Sequence, residues 1–327
     1  WIGSPFAVMT NSGSSANLLA ITSLVNHGRQ QHQRLSHGDH VLIPAVCWPT
    51  SVWPIRQAGL IPVFVDVDPV TMNIDVIDVE RRITSKTKAI MPVHLYGQVC
   101  DMTEIMKIAK EYNLGVLEDC AQCFLGEHNG KLGGSFGDVS SWSFENSKHL
   151  TTGDGGILTC NDEEIGDRLR KLTCQGFRNA TAVSGKIRVS KSLFQNPSFK
   201  RHSQLGFMYR LPEVAAALGL AQIEKIDWFV QKRIQMADMY REVIDECGCD
   251  WIRPQQVPKG DINSAYAFAA TLENDDVSWE EFRLKFIENG GDGFYSAWTL
   301  CYQEDSIDDV REFLEPIGLN DRFNTDK

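Results

Sequence analysis

The sequence predicts an α/β protein: a mixed, mostly parallel sheet sandwiched by helices, followed by a small α+β C-terminal unit. Three observations carry that expectation. Strand and helix signals alternate from Phe6 to Cys120. The strand segments are unbroken, β-branched apolar runs such as "IPVFVDV" and "KAIMPVHL", which suits strands buried on both faces. The rhythm stops near Gly176, and beyond Cys249 the segments become shorter and mixed.

Taken in order, "FAVMT" is short and apolar and reads as a strand. "SANLLAITSLV" puts Leu18, Leu19, Ile21 and Leu24 at helical spacing. "HVLIPA" is a strand, and "SVWPIRQAG" is a helix that stops at Gly59. "IPVFVDV" and "KAIMPVHL" are strands, with the helix "DVIDVERRI" between them. "DMTEIMKIAKEY" is a helix with Met102, Ile105, Met106 and Ile108 on one side, and "LGVLEDC" is the next strand. "VSSWSF" reads as a buried strand leading to Lys148 and a glycine turn. From Leu211 to Cys247 runs a long helical pattern, Ala-rich and then amphipathic. "AYAFAATL" and "GFYSAW" read as strands, and "SWEEFRLKFIENGG" as a helix stopped by glycine. The division expected is a large domain over 1–235 and a small one over 236–327.

Composition narrows the function classes. Hydrophobic residues make up 43% and charged residues 23% of 327, an ordinary globular balance. A net charge of −11 disfavours a nucleic-acid partner. No apolar run approaches a membrane span, and "WIGSPFAVMT" carries no signal-peptide pattern. Nine scattered cysteines suggest reduced thiols in a cytoplasm. Cys120 and Cys123 form a C-x-x-C with no second pair to complete a zinc site. His32, His37 and His40 read as solvated loop histidines, so no metal site is expected.

Three motifs carry chemistry. "NSGSSAN", Asn11 to Asn17, follows a strand and opens a helix. Gly13, Ser14 and Ser15 could cradle a phosphate there by geometry and dipole. On its own the motif reads as a plain serine cap. "LEDCAQ" ends a strand with Glu118 and Asp119, which read either as holders of a positive charge or as loop carboxylates. "SFENSKHLTTGDGG" offers Lys148, a nucleophile and proton carrier if desolvated and an ordinary turn lysine otherwise.

Their order and spacing resemble the layout of fold-type I pyridoxal-phosphate enzymes, whose cofactor needs a helix N-terminus, a carboxylate and a lysine. The wording is closer still. "NSGSSANLLA", "PAVCWPTSV", "GLIPVFVDVDPVTMNID", "TKAIMPVHLYGQVCDM", "GVLEDCAQ", "GGSFGDVSSWSFENSKHLTTGDGG" and "LGFMYRLPEVAAALGLAQIEKID" resemble the DegT/DnrJ/EryC1/StrS sugar aminotransferases, in unbroken order from about Ala7 to Asp227. By this resemblance, Lys148 matches the Schiff-base lysine and Asp119 the partner of the pyridine nitrogen. Gln122 matches the residue near the ring hydroxyl, and Trp48 the aromatic on the ring face. Gly13, Ser14, Ser15 and Ser143 match the phosphate cup.

The chain departs from the family in places. Met208 stands where an asparagine reaches the partner's cofactor phosphate, and it cannot hydrogen-bond that way. Asp154 replaces a glutamate, Glu145 sits where an aromatic is common, and both ends are short relative to the family. The resemblance implies a cytoplasmic homodimer with shared active sites. It would use pyridoxal 5′-phosphate to aminate a nucleotide-linked keto sugar, with glutamate as donor. A dehydratase branch of the family is the nearest alternative, but it places a histidine at the lysine position, and here the histidine comes one residue later, at His149. A non-catalytic, cofactor-binding regulatory protein is the other alternative, and the set Lys148, Asp119 and Gln122 argues against it. Between Phe177 and Leu205 six cations occur without one acid. Arg178, Arg188 and Arg201 are the expected partners of the substrate diphosphate, the alternative being a solvated loop.

Overall fold

The computed structural model describes residues 2–25, 35–292 and 299–304. The chain begins with β1 (Phe6–Thr10) and α1 (Gly13–Leu24), then β2 (His40–Pro44), α2 (Pro49–Gln57) and β3 (Ile61–Val65). Next come α3 (Val76–Arg82), β4 (Thr87–Ile90), α4 (Met102–Tyr112) and β5 (Gly115–Asp119). A short hairpin, β6 (Glu127–His128) and β7 (Lys131–Leu132), precedes β8 (Val139–Ser143), β9 (Gly156–Cys160) and α5 (Glu163–Thr173). A second small hairpin, β10 (Ala180–Thr181) and β11 (Gly185–Lys186), leads to α6 (Lys191–Gln195), α7 (Glu213–Ile223) and α8 (Ile226–Glu246). β12 (Ile252–Pro254), β13 (Ala270–Leu272) and α9 (Trp279–Glu288) follow.

Seven strands form one sheet in the order β1-β9-β8-β5-β4-β2-β3. Pairing is parallel from β8 through β5, β4 and β2 to β3, and antiparallel on both sides of β9. Only β9 therefore runs against the rest, which is the mixed, mostly parallel sheet expected. Alternate residues feed opposite faces. Val41, Ile43, Phe64 and Leu117 join one core with α1 and α2; Leu42, Val63, Val65 and Val116 join another with α4. Helix starts follow capping rules: Ser12, Asp75, Asp101 and Asp162 each accept a first-turn amide with the side chain.

Several expectations need correction. His40 is buried at the start of β2 rather than solvated, and burial pushes its imidazole below the usual histidine range. The sequence reads His40 both as a loop histidine and as the first residue of the strand "HVLIPA"; the strand reading is the one the sheet bears out. His37 is exposed, and His32 lies outside the described residues. The pattern from Leu211 to Cys247 is two helices, because the chain leaves helical geometry at Lys225 (φ −114°, ψ 5°). Only Ala270–Leu272 of "AYAFAATL" pairs as a strand, since Ala265 adopts φ +51° and takes that end out of extended backbone. "GFYSAW" lies outside the described residues. Among the described residues no helix is long and apolar enough to cross a membrane, and no disulfide joins the cysteines.

Candidate active site

The topology collects the three motifs at one edge of the sheet. Thr10 at the end of β1 and Ser143 at the end of β8 both pair with Gly156 at the start of β9. Asp119, at the end of β5, pairs with Ser141 of β8. This is the carboxyl edge of the parallel strands, where ligands of such sheets bind.

At one end of that edge α1 begins. Gly13 lies so close to Ser143 that an added Cβ would sit 2.6 Å from the serine Cβ. Ser12 Oγ accepts from Ser15 N at 3.0 Å and donates to Ser15 Oγ. Gly13, Ser14, Ser15 and Ser143 are thus brought together around a helix N-terminus, whose first amides point outward. Gly156 admits the carbonyl of Ser12, which a Cβ would approach to 2.5 Å.

At the centre of the edge stands Asp119, buried beneath α1 and α2. Its Oδ2 accepts from Ser51 Oγ at 2.7 Å and Asn17 Nδ2 at 2.8 Å, and its Oδ1 from Ala121 N at 3.0 Å. Asn17 is itself held, donating to Thr50 O and accepting from Ser141 Oγ. A carboxylate offers about four acceptor positions, so one remains for a further donor. Trp48 is the N-cap of α2, three residues before Ser51, and is 52% exposed.

Gln122, in the turn after β5, accepts from Tyr96 N at 2.9 Å through Oε1. The Tyr96 carbonyl accepts from Tyr266 N, and the Tyr266 hydroxyl accepts from Lys148 Nζ at 3.2 Å. Gln122 and Lys148 are thereby linked through a loop more than a hundred residues downstream. Asn17, Ser51, Tyr96 and Tyr266 were not singled out in the sequence. Asn17 closes a quoted motif, four residues past Gly13 on the same helix face, so a signal for it existed. Nothing in the local sequence marks the others.

Glu118 turns out to be structural. Alternation along β5 sends it to the opposite face from Asp119. There it accepts from His94, from the amides of Gly134, Phe136 and Gly137, and from Ser140 Oγ. Burial alone would raise its pKa; the His94 imidazole and the amides more than offset this and hold it below the usual range. Cys120 lies beside His94 and Glu118, but those two are already bonded to each other, so the trio reads as a packed network.

The basic loop lies apart from these groups. Arg178 donates to Lys200 O, Arg201 donates to Phe194 O and covers the Phe194 ring, and Arg188 is exposed. Met208 is half exposed, next to Tyr209, whose carbonyl accepts from Asn11 N.

His149 follows Lys148 but faces inward, its Nε2 bonding Ser264 O at 2.9 Å, between Phe124 and Tyr266. Burial lowers its pKa to about 4. With a folded value below the unfolded one, the unfolded chain binds the extra proton between them. Stability is therefore full above about pH 6.5 and falls as pH drops toward 4, by about 3 kcal/mol for this residue. Urea unfolding at several pH values should show that slope in the wild type and a shallower one in His149→Gln. Equal slopes would refute it.

Comparison with known proteins gives this arrangement a context. The profile of the DegT/DnrJ/EryC1/StrS aminotransferase family matches residues 1–293. The chain is 38% identical over 240 residues to a GDP-perosamine synthase of Escherichia coli O157:H7, covering 73% of this chain and 59% of the relative. It is 34% identical over 248 residues to the GDP-perosamine synthase of Caulobacter vibrioides, covering 76% and 60%. The chain thus spans about three fifths of these relatives' length. A solved GDP-4-keto-6-deoxymannose-3-dehydratase with a trapped PLP-glutamate geminal diamine superposes with a TM-score of 0.82 at 30% identity, over 95% of this chain and 78% of that one.

Proposed function

Since the chain belongs to the DegT/DnrJ/EryC1/StrS aminotransferase family, we propose that it uses pyridoxal 5′-phosphate to move an amino group from glutamate to a nucleotide-linked keto sugar. The carrying observation is the placing of Lys148 and an oriented, buried Asp119 on one sheet edge. The residues fit the cofactor: a helix N-terminus for its phosphate, a carboxylate with an open acceptor position for its ring nitrogen, and an exposed indole for its ring face. When bound, its conjugated ring supplies a sink for the electron pair left on the donor carbon.

In this reading Gly13, Ser14, Ser15 and Ser143 hold the phosphate, Trp48 covers the ring, and Gln122 meets the ring hydroxyl. Asp119 fixes the ring nitrogen in its protonated form. Lys148 would hold the aldehyde carbon through Nζ, and its free amine would be the group that holds and moves a proton at that atom. The trapped glutamate adduct of the similar dehydratase supports glutamate as donor. A dehydratase reading would place an imidazole at position 148. Here His149 is buried and engaged with Ser264 O, so Lys148 alone faces the site.

The proposal extends to the assembly. Residues 1–235 carry the cofactor groups, with the smaller unit beyond. The apolar helix α7 buries none of its side chains, with Val214 84% and Leu220 68% exposed. Such surface is costly in water, and a second copy of the chain is its natural cover; sedimentation would read the dimer directly. The thiols suit a reducing cytoplasm.

The test is incubation with isotopically labelled glutamate and a panel of nucleotide keto sugars. Labelled nitrogen in the sugar supports the reading; loss of a sugar hydroxyl without nitrogen gain overturns it. The same assay weighs the basic loop as diphosphate site. Because Arg178 and Arg201 also hold their own loop, Arg188→Ala is the cleanest probe. It should raise the sugar KM in a salt-dependent way and leave the glutamate half-reaction unchanged. An unaltered KM would remove Arg188 from the site.

A further inference from the structure

Lys148 Nζ lies 3.2 Å from the Tyr266 hydroxyl and 4.5 Å from the centre of its ring. Counting donors assigns the hydrogens. Ser147 has one hydroxyl proton, and its oxygen bonds Glu145 Oε2, a carboxylate that accepts. The Ser147 proton therefore goes to Glu145. Across the 3.1 Å contact between Ser147 and Tyr266, Ser147 accepts and Tyr266 donates. Having given its own proton away, the Tyr266 oxygen accepts from Lys148. All three bonds point one way, from Lys148 through Tyr266 and Ser147 to Glu145.

The surroundings fix this row. Arg233 of α8 donates to Tyr266 O at 2.8 Å and to Ser147 O at 3.2 Å, joining both backbones. His149 holds Ser264, and Tyr96 O holds Tyr266 N. Tyr96 and Ala265 sit at φ +57° and +51°, left-handed conformations that non-glycine residues keep only where the structure around them insists. Two departures from ordinary sequence rules thus flank one tyrosine.

We propose that Tyr266, aligned by Ser147 and Glu145, is a positioning residue that fixes the Lys148 amine in place. This rests on the reading that Lys148 bears the cofactor. It gives Glu145, which stands where the family commonly has an aromatic, a role of its own. The groups facing Lys148 and Tyr266 are Glu145 and His149 on the same loop, Tyr96 beside Tyr266, and Arg233 from α8. Of these, the carboxylate at the end of the row takes the Ser147 proton and so leaves the Ser147 oxygen to accept from Tyr266. Consistently, the bonds from Ser147 and the charge of Lys148 outweigh partial burial and hold Glu145 below the usual carboxylate range.

The experiment uses the full chain before cofactor is added. Trinitrobenzenesulfonate modifies amines, and peptide mass mapping follows the rate at Lys148 at one fixed pH, with Lys131 as internal reference. Tyr266→Phe keeps the ring and removes the hydroxyl; Glu145→Gln keeps the shape and removes the charge. Both should raise the Lys148 rate about threefold or more, because an amine no longer held by the tyrosine is free to attack the reagent, and Glu145→Asp should restore it. A rate unmoved in both variants overturns the proposal. A rate that rises in Glu145→Gln but not in Tyr266→Phe also overturns it, since the carboxylate then acts without the tyrosine. Borohydride reduction of the cofactor-loaded protein separates the two readings. Label on another lysine sinks the assignment of Lys148 and this proposal with it; label on Lys148 with unmoved rates sinks this proposal alone.

Discussion

Borohydride reduction of the cofactor-loaded protein is expected to fix the cofactor on the peptide that carries Lys148, and Lys148→Ala is expected to abolish transamination. The size of the loss follows from the two jobs removed together. The variant lacks the amine that holds the aldehyde carbon and the group that carries the proton between carbons. General acid–base transfer alone is worth about a hundred- to ten-thousandfold, so a fall of about ten-thousandfold or more is expected. The fold should survive, because among the described residues the Lys148 amine bonds the Tyr266 hydroxyl and lies over its ring, while its neighbours His149 and Leu150 carry the packing. Other lysines serve as controls. Lys131 lies over the Phe136 ring, and Lys171 pairs with Asp167 on α5. Label on either would show that the site has been placed on the wrong loop.

The second large effect is expected at Asp119. Asn keeps the size of the side chain and the acceptor at one oxygen. It removes the charge that keeps the ring nitrogen protonated, and with it the sink for the donor carbon's electrons. Stabilisation worth several kcal/mol is lost, on the order of a thousandfold or more in rate. The structure adds a reason for a large penalty. Ser51 and Asn17 both donate to Oδ2, so an amide nitrogen placed there would meet two donors, and the rotamer that avoids this turns the nitrogen toward Ala121 N. Steady-state turnover of Asp119→Asn, checked for cofactor content by absorbance, decides the matter. Near-normal rates would exclude the role.

Much of this was legible in the chain itself, for identifiable reasons. The parallel strands show because residues buried on both faces must be apolar throughout, which leaves runs such as "IPVFV". The three motifs show because a helix start, a strand-end acid and a lysine before glycine each leave a local trace. What stayed hidden depends on topology. Ser51 is an unremarkable helical serine until β2 and β5 enter one sheet. Tyr266 sits in a segment that reads as strand, and only the left-handed Ala265 turns it toward Lys148. Glu118 and Asp119 look alike in sequence, and strand alternation alone gives one to the scaffold and the other to the site. His40 misled because its polar neighbours suggested solvent, although the strand "HVLIPA" that begins with it required burial.

One consequence of α1 remains. Its first turn supplies Gly13, Ser14 and Ser15, and its fifth residue, Asn17, steers the carboxylate of Asp119. Four residues of helix rise about 6 Å and turn through slightly more than one revolution. The helix is therefore a ruler: its pitch fixes the separation of the two ends of whatever lies along it, one end at the amides and the other at the acid. Such a gauge has no adjustable length. One residue inserted between Ser15 and Asn17 would swing the asparagine through about 100° and leave the amide end untouched, so the two ends would no longer measure the same molecule.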